Sequence, residues 1–144
     1  MKRCYFVLTF FLLSLTCCAH AEDIESKMDT LAAQLKHLSD SVESAVRYKH
    51  APDTLSDKEL LIFATKHDPG LIGPFEPYVV KARSVAVGQV RHSDVLVCSP
   101  DGRNALLEDI GCTARMDSQR WHEPSPCEFS LDVVQVCSYA ALNH

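Results

Sequence analysis

The sequence predicts an α+β fold, in which a long N-terminal amphipathic helix and a second short helix precede a small antiparallel β-sheet stapled by two disulfides. Three observations support this prediction. An apolar pattern of helical period occupies the first third of the chain, valine-rich strand patterns begin near residue 85, and four of the seven cysteines lie in the last third.

The first 21 residues are typical of a secretory signal peptide. Lys2 and Arg3 precede an apolar run over residues 4–18, and a small-x-small site follows at residues 19–21. The run is too short to span a bilayer comfortably as a helix. We therefore expect cleavage after Ala21, no stable membrane insertion after cleavage, and a periplasmic or secreted protein.

Two alternatives to cleavage at this site are an uncleaved anchor and a lipoprotein. Cys17 or Cys18 lies where a lipidated cysteine would stand. The residue before a lipidated cysteine is normally small, and Thr16 and Cys17 fit that position poorly. Lipidation is therefore the less favoured alternative.

Charge and cysteine content narrow the function classes. Cleavage after Ala21 removes two basic residues and no acidic ones, which lowers the formal charge from −5 to −7. Phosphate backbones are bound by clustered basic residues, and the chain has no cluster of four or more Lys and Arg, so we expect no nucleic-acid partner. Four cysteines remain in a chain addressed to an oxidising compartment, which predicts two disulfides.

The segment 22–50 is predicted to be a coiled-coil-like amphipathic helix, from about Asp23 to about Tyr48. Its apolar residues recur at alternating spacings of 4 and 3, and no Gly or Pro interrupts them. The seam comprises Ile24, Met28, Leu31, Leu35, Leu38, Val42 and Ala45. It could join copies of the chain into a homo-oligomer or pack on its own domain, and the pattern favours both equally.

The remainder, residues 51–144, is predicted to be a small disulfide-stabilised α+β domain. Ser56 and Glu59 match a capping box, so a second helix begins there and ends before the Pro69-Gly70 pair. Residues 71–78 are predicted to be an extended apolar loop, with a short helix over residues 75–83 as the alternative.

Strand patterns follow from Val85 onward. Residues 85–90 and 95–98 are rich in valine, residues 99–102 form a Ser-Pro-Asp-Gly turn, and residues 104–108 are the expected return strand. Residues 116–121 are predicted to be a connection and residues 127–131 a third strand. The apolar stretch 133–142 fits either a strand or a helix.

The expected hairpins favour one disulfide pairing. A hairpin centred on residues 118–120 would bring Cys112 opposite Cys127 and leave Cys98 to pair with Cys137. The chief rival joins Cys127 to Cys137 and Cys98 to Cys112, although the turn at residues 100–101 disfavours that second bond. Four cysteines allow three connectivities, and spacing alone does not rank them firmly.

No cofactor or metal is expected. Zinc sites use ligand pairs about two to four residues apart, whereas the gaps between these cysteines are 14, 15 and 10 residues. The sequence contains no Cys-x-x-Cys motif, so it gives no indication of a redox role.

No motif specifies a reaction either. His92-Ser93-Asp94 has the residue types of a catalytic triad, but neighbours in sequence point apart and a polar turn is favoured. A set of carboxylates could gather near one sheet edge and act as acid and base, or could serve solubility. This set comprises Glu108, Asp109, Asp117, Glu123 and Glu128.

Trp121 is the single tryptophan and lies in a polar loop between two cysteines. Aromatic residues in such loops are often recognition anchors, so we predict partner-binding residues at Trp121, Arg115 and Arg120; the alternative is that the indole ring packs on the sheet. We predict that the protein is not an enzyme but an exported interaction protein, such as an inhibitor, an immunity protein or an accessory subunit of an envelope machine. A small hydrolase using the carboxylates or His92 is the alternative.

Overall fold

The computed structural model describes residues 5–114 and 118–142, with side chains described within 23–114 and 118–139. The chain forms two compact units, Met1–Leu31 and Ala32–His144, and the first helix contributes to both. In the described part of the chain, no helix combines the length and the apolar character needed to cross a membrane. The predicted α+β fold is confirmed.

Helix α1 spans Tyr5–Arg47, and it therefore begins earlier than the sequence pattern predicts. In the first unit, Lys27 forms an ion pair with Asp23, and Ile24 is 56% exposed. In the second unit, the seam residues of α1 have no exposed surface in the single chain. These are Leu35, Leu38, Val42 and Ala45. Side chains that are already covered cannot also line an interchain seam, so the self-packed alternative describes this half of the helix.

Helix α2 spans Asp57–Thr65 and begins at the predicted capping box. The Ser56 side chain accepts the Glu59 amide, and the Glu59 carboxylate accepts the Ser56 amide, so two otherwise unpaired N–H groups are satisfied. The segment after it is not extended over residues 71–78 as predicted, because a 3₁₀ helix spans Pro69–Phe75 and buries Phe75. The alternative helix over residues 75–83 is wrong, because the chain is already extended from Val79.

The valine-rich stretch forms two strands rather than one. Strand β1 spans Val79–Val87 and β2 spans Val90–Cys98, and they pair antiparallel across a two-residue turn. Gly88 occupies this turn with φ 63°, a left-handed conformation that such hairpin turns require and that glycine adopts without steric cost.

Strand β3, Ala105–Ile110, is the predicted return strand and pairs with β2. Strand β4 contains only Gln119–Arg120 and pairs with β3 opposite Glu108 and Leu107, which gives the sheet order β1-β2-β3-β4. The chain then continues antiparallel along β3 as far as a bridge between Pro126 and Asn104. Residues 127–131 are not a strand, which corrects the prediction.

The sheet is covered on both faces. Side chains alternate along a strand, and Val95 pairs with Asp109, so Ser93, Val95 and Asp109 share one face of the sheet. Helix α1 covers this face, where Glu43 contacts Ser93 and Lys36 contacts Asp109. Helix α2 lies beside α1, where Ser41 donates a hydrogen bond to the Ala64 carbonyl, and it packs against β1.

The opposite face is covered by the C-terminal segment, which ends in helix α3, Val133–Leu142. Helix α3 packs on β1 and β2, so the helical alternative for this stretch is confirmed. One apolar cluster on this face contains Ile110, Val133 and Cys137. A second contains Leu96, Cys98, Ala105 and Cys127.

The two disulfides join Cys98 to Cys127 and Cys112 to Cys137, so both predicted pairings are wrong. The reason lies in the course of residues 118–127, which run along β3 towards its N-terminal end. Cys127 therefore arrives beside Cys98, which pairs with Ala105 at that end, whereas Cys112 follows the C-terminal end of β3 and meets α3.

Candidate functional site

A concave surface lies at the tip of the β1–β2 hairpin, where the end of α1 meets the turn. We call it the hairpin-tip cavity; its volume is about 250 Å³ and it is lined by Val46, Arg47, Tyr48, Gln89, Val90 and Arg91. Tyr48 is 66% exposed and Val90 is 39% exposed, so two of the large apolar side chains that the fold leaves in solvent line the same cavity. The Arg47 guanidinium lies over the Tyr48 ring, 5.2 Å from its centroid.

Arg91, which also lines this cavity, connects the hairpin to the loop before α2. Its guanidinium forms an ion pair with Asp53 at 2.6 Å and donates hydrogen bonds to the Ser84 hydroxyl and the Ala51 carbonyl. Arg91 thus fixes the loop before α2 against the hairpin. Arg47 is the arginine of this surface that the fold leaves exposed.

A second polar site joins α1 to β2. Glu43 and His92 are both buried, and Oε1 of Glu43 lies 2.6 Å from Nδ1 of His92. The other carboxylate oxygen accepts hydrogen bonds from the Ser93 amide at 2.7 Å and the Ser93 hydroxyl at 3.0 Å. A buried carboxylate with these three partners fixes the position of the imidazole ring.

Gly111 allows Glu43 to reach this position. A Cβ atom at Gly111 would lie 2.6 Å from Cβ and 2.7 Å from Oε2 of Glu43, distances that real side chains do not adopt. Because β3 ends at Ile110 and the next residue has no side chain, the carboxylate of α1 reaches His92 at the end of the sheet.

The Cys112–Cys137 disulfide lies beside this pair. A ring nitrogen of His92 and both sulfur atoms lie within 4.8 Å of one another. Within the described residues, these three side chains offer one nitrogen and two sulfur atoms of the kinds that bind metal ions. The two sulfur atoms are joined in a disulfide, however, and a disulfide lacks the thiolates that bind zinc. What the arrangement offers instead is a proton donor or acceptor next to a disulfide.

The Cys98–Cys127 disulfide has different neighbours. Both cysteines are buried in the apolar cluster with Leu96, and the side chains of Trp121 and Phe129 pack against that cluster. The indole ring therefore packs on the sheet, as the alternative interpretation of Trp121 expects, while retaining part of its surface in solvent.

Two carboxylates lie between the disulfides on the α3 face. Asp94 and Glu108 have no exposed surface. Glu108 accepts hydrogen bonds from the amides of Ser130 and Leu131 and from the Ser130 hydroxyl, at 2.7–3.2 Å. Asp94 accepts two hydrogen bonds from Arg83, at 2.9 and 2.7 Å. Burial and the neighbouring Glu108 carboxylate raise the pKa of Asp94 to about 7, while Arg83 acts in the opposite direction.

Asp109 is the corresponding carboxylate on the α1 face. It is fully buried, and Nζ of Lys36 lies 3.5 Å from its Oδ2. Burial raises the pKa of Asp109 to about 6, against the opposing effects of Ser39 and Lys36. Adjacent residues of a strand point to opposite faces, so Glu108 and Asp109 do not form the carboxylate pair that the hydrolase hypothesis needs.

The other predicted site residues are scattered. Glu123 and Glu128 are exposed, Arg120 is half-buried in β4, and Arg115 and Asp117 lie outside the described residues. The seam residues Met28 and Leu31 are half-buried and buried, respectively. The structure therefore does not assemble the predicted carboxylate cluster within the described part of the chain.

Glu43 and Tyr48 were not found from the sequence. Glu43 occupies a position beside the apolar seam of the amphipathic pattern, and nothing local distinguishes it from the solvated acids of that helix. Its partner His92 lies 49 residues away. The one available signal was the triplet His92-Ser93-Asp94, whose first two residues do contact Glu43.

Comparisons with known proteins assign no family. No protein-family model matches the chain, and neither a curated protein nor a solved structure is significantly similar to it. The two disulfides themselves favour an oxidising location outside the cytosol, because such bonds persist there.

Proposed function

We propose that this protein is an exported, periplasmic or secreted interaction protein without catalytic activity, which binds a protein partner at the hairpin-tip cavity. The observation that carries this proposal is the location of Tyr48 and Val90. Both side chains are exposed, and both line one concave surface with Arg47 at its rim. Exposed apolar side chains gathered in a concavity are a recurrent mark of binding surfaces.

The residue types also favour a protein partner. Tyrosine and arginine are enriched at the centres of protein interfaces, because each offers a large contact area together with hydrogen-bond donors. The guanidinium of Arg47, held over the Tyr48 ring, presents both properties at one point.

The charge of the surface indicates the chemistry of the partner. The whole chain carries a formal charge of −5, yet Arg47 and Lys49 stand exposed together at the end of α1. A partner segment with an apolar side chain for the cavity and a carboxylate for Arg47 would complement this surface.

The hydrolase alternative has less support. Glu108 and Asp109 have no exposed surface and lie on opposite faces of β3. His92 is held by the buried Glu43 carboxylate and lies beside a disulfide, and the hydroxyl of the neighbouring Ser93 donates its hydrogen bond to Glu43.

Site-specific photocrosslinking tests the proposal. A photoreactive phenylalanine analogue replaces Tyr48 in one variant and Tyr139 in a matched control, since these tyrosines are 66% and 63% exposed. The exported chain is irradiated in its own extracytoplasmic extract. We expect a defined crosslinked protein from position 48 and not from position 139.

Two further variants make the result decisive. Val90→Glu should abolish the crosslink from position 48, because it places a charge in the apolar part of the cavity. The same probe at Trp121 tests the loop predicted from the sequence. A partner captured from position 121 but not from position 48 would overturn the assignment to the hairpin-tip cavity, and turnover of a substrate that depends on His92 would overturn the non-enzymatic function.

A further inference from the structure

We infer that the Cys112–Cys137 disulfide is a reactive bond that exchanges with an external dithiol, and that His92 donates the proton to the departing sulfur. The second disulfide, Cys98–Cys127, is then a purely structural crosslink. This inference concerns a part of the molecule away from the hairpin-tip cavity and stands independently of the proposed interaction function.

The geometry that supports it is the position of the imidazole. A ring nitrogen of His92 lies within 4.8 Å of both sulfur atoms, and Glu43 holds the ring through Nδ1 at 2.6 Å. The rate of thiol–disulfide exchange depends on how readily the leaving sulfur departs as a thiolate. A positioned imidazolium next to that sulfur stabilises it and protonates it.

Exposure decides which sulfur is attacked. Cys112 is partly exposed in the turn after β3, whereas Cys137 is only 4% exposed on α3. An incoming thiolate can therefore reach the Cys112 sulfur, and the Cys137 sulfur leaves towards the interior. The leaving group is then the sulfur that water cannot stabilise and that depends most on His92.

The reaction balances with a dithiol as the reductant. The first thiolate of the dithiol forms a bond to the Cys112 sulfur, the Cys112–Cys137 bond breaks, and Cys137 takes a proton from His92. The second thiol of the reagent gives its proton back to the imidazole and attacks the mixed disulfide, which releases Cys112 as a thiolate that is protonated by solvent. Two electrons pass from the dithiol, which becomes a disulfide, to the two cysteines.

Exchange at this bond would remove the covalent link of helix α3 to the sheet and leave the preceding segment attached. The chain just before α3 stays attached to the sheet through the hydrogen bonds from Ser130 and Leu131 to Glu108, and Arg83 donates a further bond to the Leu131 carbonyl. Cys98–Cys127 holds the segment at its start. The reactive bond therefore controls whether Val133–Leu142 is covalently tied to the end of the sheet.

The test measures the two disulfides separately in the same molecule. The oxidised exported chain is treated with dithiothreitol under native conditions, quenched with an alkylating reagent at successive times, and analysed by peptide mass spectrometry. We expect Cys112 and Cys137 to be alkylated at least about tenfold faster than Cys98 and Cys127, at a rate that rises linearly with dithiol concentration. Equal rates, or rates independent of dithiol concentration, would overturn the inference because reduction would then follow unfolding.

Variants assign the role of His92. His92→Gln should slow the reduction of Cys112–Cys137 at least about tenfold while leaving Cys98–Cys127 unchanged. His67→Gln, at an exposed histidine, is the matched control and should change neither rate. If His92→Gln fails to fold, Glu43→Gln supplies the measurement, since it keeps the side-chain size and removes the charge that fixes the ring; an unchanged or faster reduction in the folded variant would contradict the inference.

Discussion

The two disulfides of this protein close loops of similar length in different surroundings. Their cysteines are separated by 29 and 25 residues. Both cysteines of one bond are buried in an apolar cluster against which Trp121 and Phe129 pack. The other bond adjoins the cluster of Ile110 and Val133, lies beside His92, and has one partly exposed residue, Cys112. The two covalent bonds are the same, so we expect any difference in their reactivity to arise from their neighbours.

Removal of each cysteine pair gives the largest expected effect. The chain-entropy contribution is about 3.5 kcal/mol for each bond, because it depends only weakly on loop length. Both disulfides adjoin an apolar cluster, but Cys98 and Cys127 are both buried whereas Cys112 is partly exposed. We therefore expect Cys98→Ala with Cys127→Ala to lower the free energy of unfolding by about 1 kcal/mol more than Cys112→Ala with Cys137→Ala. Urea denaturation of both double variants measures the difference. Equal losses of unfolding free energy would show that the more buried disulfide contributes no more to stability than the partly exposed one.

Gly111→Ala tests the approach of α1 to the more exposed disulfide. The added methyl group would overlap Glu43, so we expect a loss of about 1–3 kcal/mol and a weaker contact between Glu43 and His92. Gly73→Ala is the control, since no atom lies within 4 Å of its added Cβ. Thermal unfolding compares the two variants, and a Gly111→Ala protein as stable as the control would show that the approach is not tight.

A further expected effect, measured as a change with pH rather than as a single loss, comes from the carboxylates between the disulfides. The folded state holds the Asp94 proton up to about pH 7, whereas the unfolded chain releases it near the ordinary value of 3.8. Between those values the native state binds more protons, so the free energy of unfolding falls as the pH rises, by at most about 1.4 kcal/mol per pH unit for this carboxyl. Asp109 contributes in the same direction up to about pH 6.

Asp94→Asn isolates that contribution. Its side chain stays neutral at every pH, so the variant should lose less stability between pH 5 and pH 7.5 than the wild-type chain does. Denaturant unfolding at both pH values measures the two slopes. Identical slopes would mean that Asp94 is ionised throughout this range and that Arg83 outweighs burial.

Local patterns accounted for much of the fold. The capping box at Ser56 and Glu59, the turn at residues 99–102 and the return strand after it are specified by residues within a few positions of one another. The amphipathic helix is likewise specified by residues three or four positions apart. The two-residue turn at Gly88 was missed, because the valines on either side look like one continuous strand pattern.

The site residues were predicted less well, because each depends on register. Cys127 meets Cys98 only because residues 118–127 return along β3, and the expected strand over residues 127–131 would have carried Cys127 to Cys112 instead. Glu43 looks like a solvated acid in the sequence until Gly111 and His92 are brought to it.

The sequence by itself determined the α+β class, the start of α2, the turn at residues 99–102, and a cysteine content suited to an oxidising compartment, since each follows from local pattern or from composition. The tertiary structure alone decided which cysteines pair and which charges meet. A shift of one residue in strand register moves every side chain to the other face, and contacts such as Glu43 to His92, 49 residues apart, arise only after that register is chosen.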